Sequence, residues 1–330
     1  MAVQSTTMTI RTRLFDADRT DREIELDAQG VASVKDRQLL WVDALISDDR
    51  IDDADLLTLL PFDGRAVARM WASPPAPRLA IHGDYFLVRV VALREERTRD
   101  ESVVLDLAVT RNVVLTTHRE PIPFLDDLDE RIRGDTTLGA IDSTDFATVL
   151  LDGLVTSYLE LTDSILARVD RLDGEALRST PGSDLLGALV ALRHRIAAVR
   201  RVLVAHRTVM ASLAGADFQV ITRTDTAGRF ATASERFEAA TSAIDTAREA
   251  LLGTFDIHMS VTAQRTNDTM KILTVVSVLL LPSGVIAGFM GMNLKAPYSN
   301  DDPSIFWIVI AVIVLLAALT MVTLRVRRWI

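Results

Sequence analysis

The chain has 330 residues, no cysteine and a formal net charge of −9 at pH 7. The absence of cysteine excludes disulfides, thiolate-bound zinc, iron–sulfur clusters and a thiol nucleophile. The acidic balance argues against a nucleic-acid partner, because such a partner would need a basic face.

Residues 1–140 predict a cytoplasmic α/β domain. Met1–Asp21 is polar and lacks the apolar core of a secretory signal, so we expect this region to stay in the cytoplasm. Asp52–Leu60 and Phe124–Ile132 are short helix candidates, and His82-Gly83-Asp84 is a hairpin signal. Strands are expected at Thr7–Phe15, Leu39–Leu45, Leu79–Ile81, Tyr85–Leu93, Val103–Val109 and Val113–Thr117.

Residues 141–227 predict a helical hairpin, because apolar residues recur with helical spacing on both sides of a turn at Ser179–Gly182. Ser183 or Asp184 can cap the second helix. Acidic residues on the first helix and arginines on the second predict an antiparallel pair held partly by complementary charge. An anion site on the arginines is the alternative. The charged residues are Asp163, Asp170, Asp173 and Glu175, and Arg193, Arg195, Arg200, Arg201 and Arg207.

Residues 228–271 predict a stalk helix that continues into the apolar segment behind it. Phe230, Phe237, Ile244 and Leu251 repeat every seven residues, which suits packing between long helices. A helix from Gly228 to the end of the apolar segment would extend roughly 90 Å at 1.5 Å per residue. Such a helix would transmit movement of the cytoplasmic domain into the membrane.

Two charge-free runs, Ile272–Met290 and Ile305–Leu324, each match the ~20 residues that a membrane-spanning helix needs. The predicted parts are span 272–293, external loop 294–304, span 305–324 and basic tail 325–330. Because basic residues flank the pair, the positive-inside rule places both termini in the cytoplasm. We expect a multi-pass protein of the inner (plasma) membrane, with the lipid bilayer as a partner.

Pro282, Gly284 and Gly288 interrupt the first span. The proline removes one backbone donor and can kink the helix. The two glycines have the spacing of helix–helix packing motifs, but they could equally leave room for an ion near backbone carbonyls. One helical hairpin cannot enclose a water-filled path, so a pore would require several copies around an axis.

The first span ends at Gly291-Met292-Asn293, and the segment Thr266–Lys271 precedes it. With Leu281-Pro282 and the second span, these residues resemble the CorA magnesium-channel family. Further points of resemblance are Trp41-Val42-Asp43, Tyr85–Val88, the arginine helix Leu189–Arg201 and the basic tail.

The resemblance implies an α+β cytoplasmic domain with long stalk helices and a C-terminal two-helix transmembrane hairpin, assembled as a pentameric funnel. It implies that the chain is not an enzyme, needs no cofactor and has itself and divalent ions as partners. Asn293, with Gly291 and Met292, resembles the external entrance for the hydrated ion, and Asp256 a cytoplasmic acidic ring. The remaining residues that resemble pore-lining or gate positions are Asn267, Met270, Leu273, Leu281, Gly284 and Gly288.

Each role has a plainer alternative. Asn293 could be a helix C-cap, Asn267 an inter-helix contact and Asp256 a solvated acid. The chain departs from the family at Met290 and Lys295. It also lacks the usual acidic segments of a regulatory metal site. Two other groups could form a regulatory metal site instead: Glu235, or the acidic cluster Asp48, Asp49, Asp52, Asp53 and Asp55. The plainer interpretation of the cluster is a solvated loop.

Three functions follow from these observations. The first is uptake of Mg²⁺, with Co²⁺ and Ni²⁺ as further permeants, down the electrochemical gradient. The second is Zn²⁺ transport of the ZntB type, which could be coupled to protons. The third is a membrane-tethered enzyme or sensor. The sequence contains no HExxH motif, phosphate loop or Ser/His/Asp arrangement that would support it.

Overall fold

The computed structural model describes residues 9–16, 23–24, 26–27, 30–31, 33–35, 38–46, 57–95, 100–132, 142–178, 184–215, 218, 224–292 and 303–326. The chain divides into two compact units, Met1–Thr254 and Phe255–Ile330. The finer division predicted from the sequence remains a prediction.

Within the described residues, six strands form one sheet in the order β1-β2-β6-β5-β4-β3. Strands β2 and β6 are parallel, and the other neighbours are antiparallel. All six predicted strands are confirmed, although Thr7 lies outside the described residues. The strands are β1 Thr9–Asp16, β2 Gln38–Leu45, β3 Arg78–His82, β4 Tyr85–Arg94, β5 Glu101–Val109 and β6 Val113–His118.

The hairpin between β3 and β4 follows from local chemistry. Gly83 has a φ of +49°, a left-handed conformation that side chains with a Cβ adopt at a cost. His82 and Tyr85 are paired across the turn, and their rings stack with centroids 5.1 Å apart. The hairpin signal is therefore confirmed at the predicted residues.

Two short helices accompany the sheet. Helix α2, Pro123–Ile132, was predicted, whereas helix α1, Gly64–Trp71, was missed, although its buried residues Ala66, Val67 and Met70 have helical spacing. Asp63 caps α1 by accepting a hydrogen bond from the Arg65 amide. The Asp52–Leu60 helix candidate lies partly outside the described residues.

Helices α3, Ser143–Arg178, and α4, Leu185–Ala214, confirm the helical hairpin. Asp184, one of the two predicted caps, accepts a hydrogen bond from the Gly187 amide at 3.2 Å and therefore caps α4. Ser183 lies outside the described residues. The apolar stripes predicted for both helices are buried.

Helix α5, Thr224–Gly291, has 68 residues and contains Pro282, which confirms a helix that passes the proline without a break. In the first unit its buried side chains alternate in size along a heptad pattern. The large residues are Phe230, Phe237, Ile244 and Leu251, and the small residues between them are Ala233, Ala240 and Ala247. This pattern lets α5 pack closely on the neighbouring helices.

The predicted charge pairing between α3 and α4 is wrong. Three of the five predicted α4 arginines form ion pairs with other elements, and no ion pair joins α3 to α4 among the described residues. Arg195 pairs with Glu95 and Asp100, Arg200 with Asp245, and Arg207 with Glu238. Among the described residues, these partners belong to the β4–β5 connection and to α5. Helix α3 is linked instead to α5, through Asp152 and Arg236.

The second unit contains the C-terminal part of α5 and helix α6, Pro303–Val326. Both helices are long and apolar enough to cross a membrane. An α+β region, a long helix and two C-terminal apolar helices are therefore present as predicted.

A candidate ion pathway on helix α5

The predicted pore residues that the structure describes share one face of helix α5, and Met292 directly follows the last residue of that helix. At about 100° per residue, they fall within an arc of roughly 120° around the axis of α5, over a length of roughly 54 Å. We refer to this face as the α5 stripe. Its members are Asp256, Asn267, Met270, Leu273, Leu281, Gly284, Gly288, Gly291 and Met292.

Asn293, the predicted ion entrance, lies outside the described residues, as do Lys295 and the acidic cluster of residues 48–55. Gly291 is the last residue of α5, and the Met292 amide donates to the Phe289 carbonyl at 3.3 Å. The last helical residue thus lies two positions before Asn293 in the sequence.

The stripe is uncovered in the single chain. No described residue from Phe255 to Met292 is buried, and Leu281 is 67% exposed. The exposed apolar surface from Ile272 to Met290 is typical of contact with lipid or with another protein surface. The described residues of the chain do not cover it.

The glycines of the stripe face open space. A Cβ added at Gly284, Gly288 or Gly291 would meet no other atom of the described residues within 4 Å. Packing inside one chain therefore does not require these glycines. A close approach between copies and free space along a pore both remain consistent with them.

Asp268 and Lys271 of α5 lie outside the stripe, whereas Asp256 belongs to it. Asp268 accepts from Gln264 at 3.3 Å and pairs with Lys271 at 3.6 Å. At about 100° per residue, Asp268 lies on the opposite side of the helix from Leu281. Between Asn267 and Met292 the described stripe carries neutral side chains only.

Two hydroxyl residues on the same face were missed by the sequence reasoning. Thr274 and Ser277 lie between Met270 and Leu281, at steps of four, three and four residues. The Thr274 hydroxyl donates to the Met270 carbonyl at 2.8 Å, so its methyl group contributes more to the surface. Helical spacing was the signal that could have identified both residues.

The described residues do not form a regulatory metal site. Within the described ranges, no three His, Asp or Glu side chains converge in a way that could hold a metal ion. Glu235 is exposed on α5, and the Thr232 hydroxyl is bonded to the Gly228 carbonyl at 3.0 Å.

A family comparison covers both the sheet and the two apolar helices. The model of the CorA-like Mg²⁺ transporter protein family matches residues 36–328. The chain belongs to this family. The resemblance seen in the sequence is therefore confirmed.

Two relatives of the CorA family align with much of the chain. The cobalt/magnesium transport protein CorA of Thermotoga maritima is 26% identical over 235 residues, which cover 69% of this chain and 65% of that protein. The alignment thus spans slightly less than two thirds of the T. maritima protein. The cobalt/magnesium transport protein CorA of Methanocaldococcus jannaschii is 25% identical over 322 residues, 90% of this chain and 93% of that protein.

Solved structures of CorA-type proteins share the fold. The complete CorA magnesium transporter of M. jannaschii superposes with a TM-score of 0.75 at 20% identity, covering 97% of this chain and 98% of that chain. The ZntB cytoplasmic domain of Vibrio parahaemolyticus superposes with a TM-score of 0.60 at 10% identity, covering 77% of this chain and 99% of that chain. Since proteins named for magnesium and for zinc transport share this fold, the fold does not identify the ion.

Proposed function

We propose that this chain is the subunit of a membrane channel that conducts divalent cations, with Mg²⁺ as the principal ion. Membership of the CorA-like Mg²⁺ transporter family carries the proposal. The uncovered α5 stripe supports it, because a single face of one helix collects the residues that the pathway requires. Co²⁺ and Ni²⁺ are expected as further permeants.

The proposed pore lies on the axis of a homopentamer. Five copies of α5 turn their stripes inward, and α6, which is apolar along its length, contacts lipid. The cytoplasmic units and both termini lie inside the cell, in accordance with the arginines that follow the second span. This arrangement covers the exposed apolar surface of α5 and encloses a water-filled path.

Asn293 is the proposed ion entrance. Mg²⁺ gives up its water slowly and prefers to keep several water ligands. Neutral amides can hydrogen-bond those waters without removing them, and they hold the ion weakly enough for it to leave. A divalent ion gains about 4.6 kcal/mol per 100 mV on moving inward, which is twice the value for one charge. Transport therefore needs no nucleotide.

The proposed gate is the apolar part of the stripe at Met270, Leu273 and Leu281. Rings of such side chains can close a pore by excluding water, without a mechanical plug. Asn267 and Asp256 precede them on the cytoplasmic side of the same face. When the gate is closed, the apolar rings exclude water, and this dry segment blocks a hydrated ion.

Ion flux into liposomes tests the entrance. Purified protein is reconstituted, and Mg²⁺ and Zn²⁺ uptake are measured for the native chain and for Asn293→Ala. Asn300→Ala is the matched control, since it removes another asparagine of the same loop. We expect Asn293→Ala to reduce Mg²⁺ uptake at least tenfold, a change of about 1.4 kcal/mol in the barrier, and Asn300→Ala to leave it unchanged.

Other outcomes of this experiment are decisive as well. Undiminished Mg²⁺ flux in Asn293→Ala would reject the amide entrance. Zn²⁺ flux that follows a proton gradient, with little Mg²⁺ flux, would replace the proposal by ZntB-type transport.

The gate is tested with Leu281→Asn, which places an amide in the apolar ring. We expect a raised basal Mg²⁺ leak, because water enters a polar constriction more easily. Leu279→Asn is the matched control, since this residue lies on the opposite side of α5 at about 100° per residue. Equal leaks in both variants would contradict the placement of Leu281 on the axis.

A further inference from the structure

The first unit contains a large cavity far along the chain from the α5 stripe. It lies between helix α4 and strands β4 and β5, and has a volume of about 830 Å³. Cavities of roughly 300–1,000 Å³ accommodate drug-sized molecules. Strand residues Val91 and Val104, which face each other across β4 and β5, form part of its floor. Pro75 and Pro77 form one wall.

Small side chains of α4 keep the cavity open. Ala191, Ala198 and Ala205 line it at intervals of seven residues, so they lie on one face of the helix. Larger residues at these positions would reach the sheet and close the space. The cavity is therefore a consequence of the sequence of α4.

One acidic residue of the cavity is already neutralised. Arg195 donates to both oxygens of Asp100 at 2.8 Å and to Glu95 at 2.8 Å. The Asp100 side chain is only 3% exposed. Arg195 and its two carboxylates carry a formal net charge of −1, so Arg195 offers no free positive charge to a ligand.

Arg201 is the guanidinium of the lining that can still bind a ligand carboxylate. It lines the same cavity and is exposed, and none of the described carboxylates forms an ion pair with it. His194 lies on the same helix face, about two turns before Arg201. The described lining thus combines an apolar floor with an available guanidinium.

His206 closes the deep end of the cavity without adding charge. It is fully buried. Its Nε2 accepts from the Val91 amide at 2.9 Å, and its Nδ1 donates to the Val202 carbonyl at 2.7 Å. Both ring nitrogens are therefore occupied, and the imidazole is neutral in this arrangement.

We propose that this cavity is a binding site for a soluble amphiphilic anion, with a flat apolar body on the β4–β5 floor and one carboxylate at Arg201. Apolar burial provides contact area, while a guanidinium–carboxylate hydrogen bond fixes the orientation of the ligand. A fully charged ion without an apolar body would leave the floor unfilled. The site is independent of the proposed channel function.

Equilibrium dialysis of the full-length chain in nanodiscs tests the proposal, with empty nanodiscs as background. The probes are 2-naphthoate, its neutral analogue 2-naphthalenemethanol, and inorganic phosphate. We expect 2-naphthoate to bind saturably at one site per chain, and the neutral analogue to bind about tenfold more weakly for lack of the charged hydrogen bond. Phosphate alone should show no saturable binding.

Two pairs of variants locate the site. Ala198→Phe fills the cavity and should abolish saturable binding, whereas Ala197→Phe changes the adjacent exposed alanine outside the lining and should leave it unchanged. Arg201→Gln should weaken 2-naphthoate binding about tenfold, whereas Arg193→Gln, an exposed arginine outside the lining, should not. Circular dichroism confirms that each variant is folded.

The contrary results are equally clear. Absence of saturable 2-naphthoate binding, or equal binding by Ala198→Phe and Ala197→Phe, would overturn the site. Equal affinities for 2-naphthoate and 2-naphthalenemethanol would overturn the assignment of an anion. Saturable phosphate binding that Arg201→Gln removes, without 2-naphthoate binding, would reject the amphiphilic ligand.

Discussion

His206 makes the stability of the first unit depend on pH. The side chain is fully buried between α4 and β4, bonded to Val91 and Val202 and in ring contact with Tyr158. Burial lowers its pKa to about 4, and the hydrogen bond to the Val202 carbonyl offsets this only in part. We choose His206→Gln as the perturbation, because glutamine retains an acceptor for the Val91 amide but does not titrate.

The sign of the effect follows from the protons that each state binds. Between pH 6.5 and pH 4 the unfolded chain binds a proton at this histidine, whereas the folded chain does not. Stability is therefore complete above pH 6.5 and decreases as the pH falls. At about 1.4 kcal/mol per pH unit, the folded state loses roughly 2 kcal/mol by pH 5 and roughly 3 kcal/mol by pH 4.

Urea unfolding of the full chain in detergent at pH 7 and pH 5 measures this loss. With Trp307 and Trp329 replaced by phenylalanine, fluorescence reports Trp41 and Trp71, both in the first unit. His194→Gln is the matched control, since His194 is exposed on the same helix. We expect the native chain and the control to lose roughly 2 kcal/mol more than His206→Gln does between these pH values.

The comparison between variants isolates His206 from other titrating groups. Burial opposes the charge of His118, yet the hydrogen bond and charge of Asp43 raise its pKa. That raised pKa acts in the opposite sense, because its stabilisation is present at low pH and is lost as the pH rises. Equal pH dependence in the native chain and in His206→Gln would refute the burial argument.

The other predictions concern packing, a buried ion pair and a turn, and the same unfolding assay measures all three. Phe237→Ala removes a buried ring that contacts Tyr158 and should lower the unfolding free energy by about 3–5 kcal/mol. Arg89→Met leaves Asp106 buried without its bidentate partner and should cost about 3–5 kcal/mol. If either variant lost less than about 1 kcal/mol of unfolding free energy, the result would contradict the burial of the side chain that was replaced. Gly83→Ala should cost about 1–2 kcal/mol at its φ of +49°, and Gly83→Asn clearly less; equal costs would contradict a left-handed turn.

Short-range patterns predicted the elements well. Alternation identified the strands, and the interval of seven from Phe230 to Leu251 identified the face of α5 that is buried. Both patterns are local properties of the chain, because side-chain direction depends only on the backbone period. Helix α1 was missed, although Ala66, Val67 and Met70 lie on one buried face at helical spacing.

The partners of charged residues were not predictable in the same way. Arg195, Arg200 and Arg207 were assigned to α3, yet they pair with the β4–β5 connection and α5. An arginine accepts any carboxylate within reach, so its partner depends on which element folds against it. The same holds for His206, whose burial and acceptor role depend on the position of Val91.

For the candidate pathway, the sequence alone determined that Asn267, Met270, Leu281 and Gly288 share one helix face, because a fixed rotation per residue decides this. It also determined that two apolar helices follow the α+β region. Only the tertiary structure decided the sheet order, with β2 beside β6, and the cavity under Ala198. These features join residues far apart in the chain, and the balance of burial, hydrogen bonding and charge over the whole fold selects them.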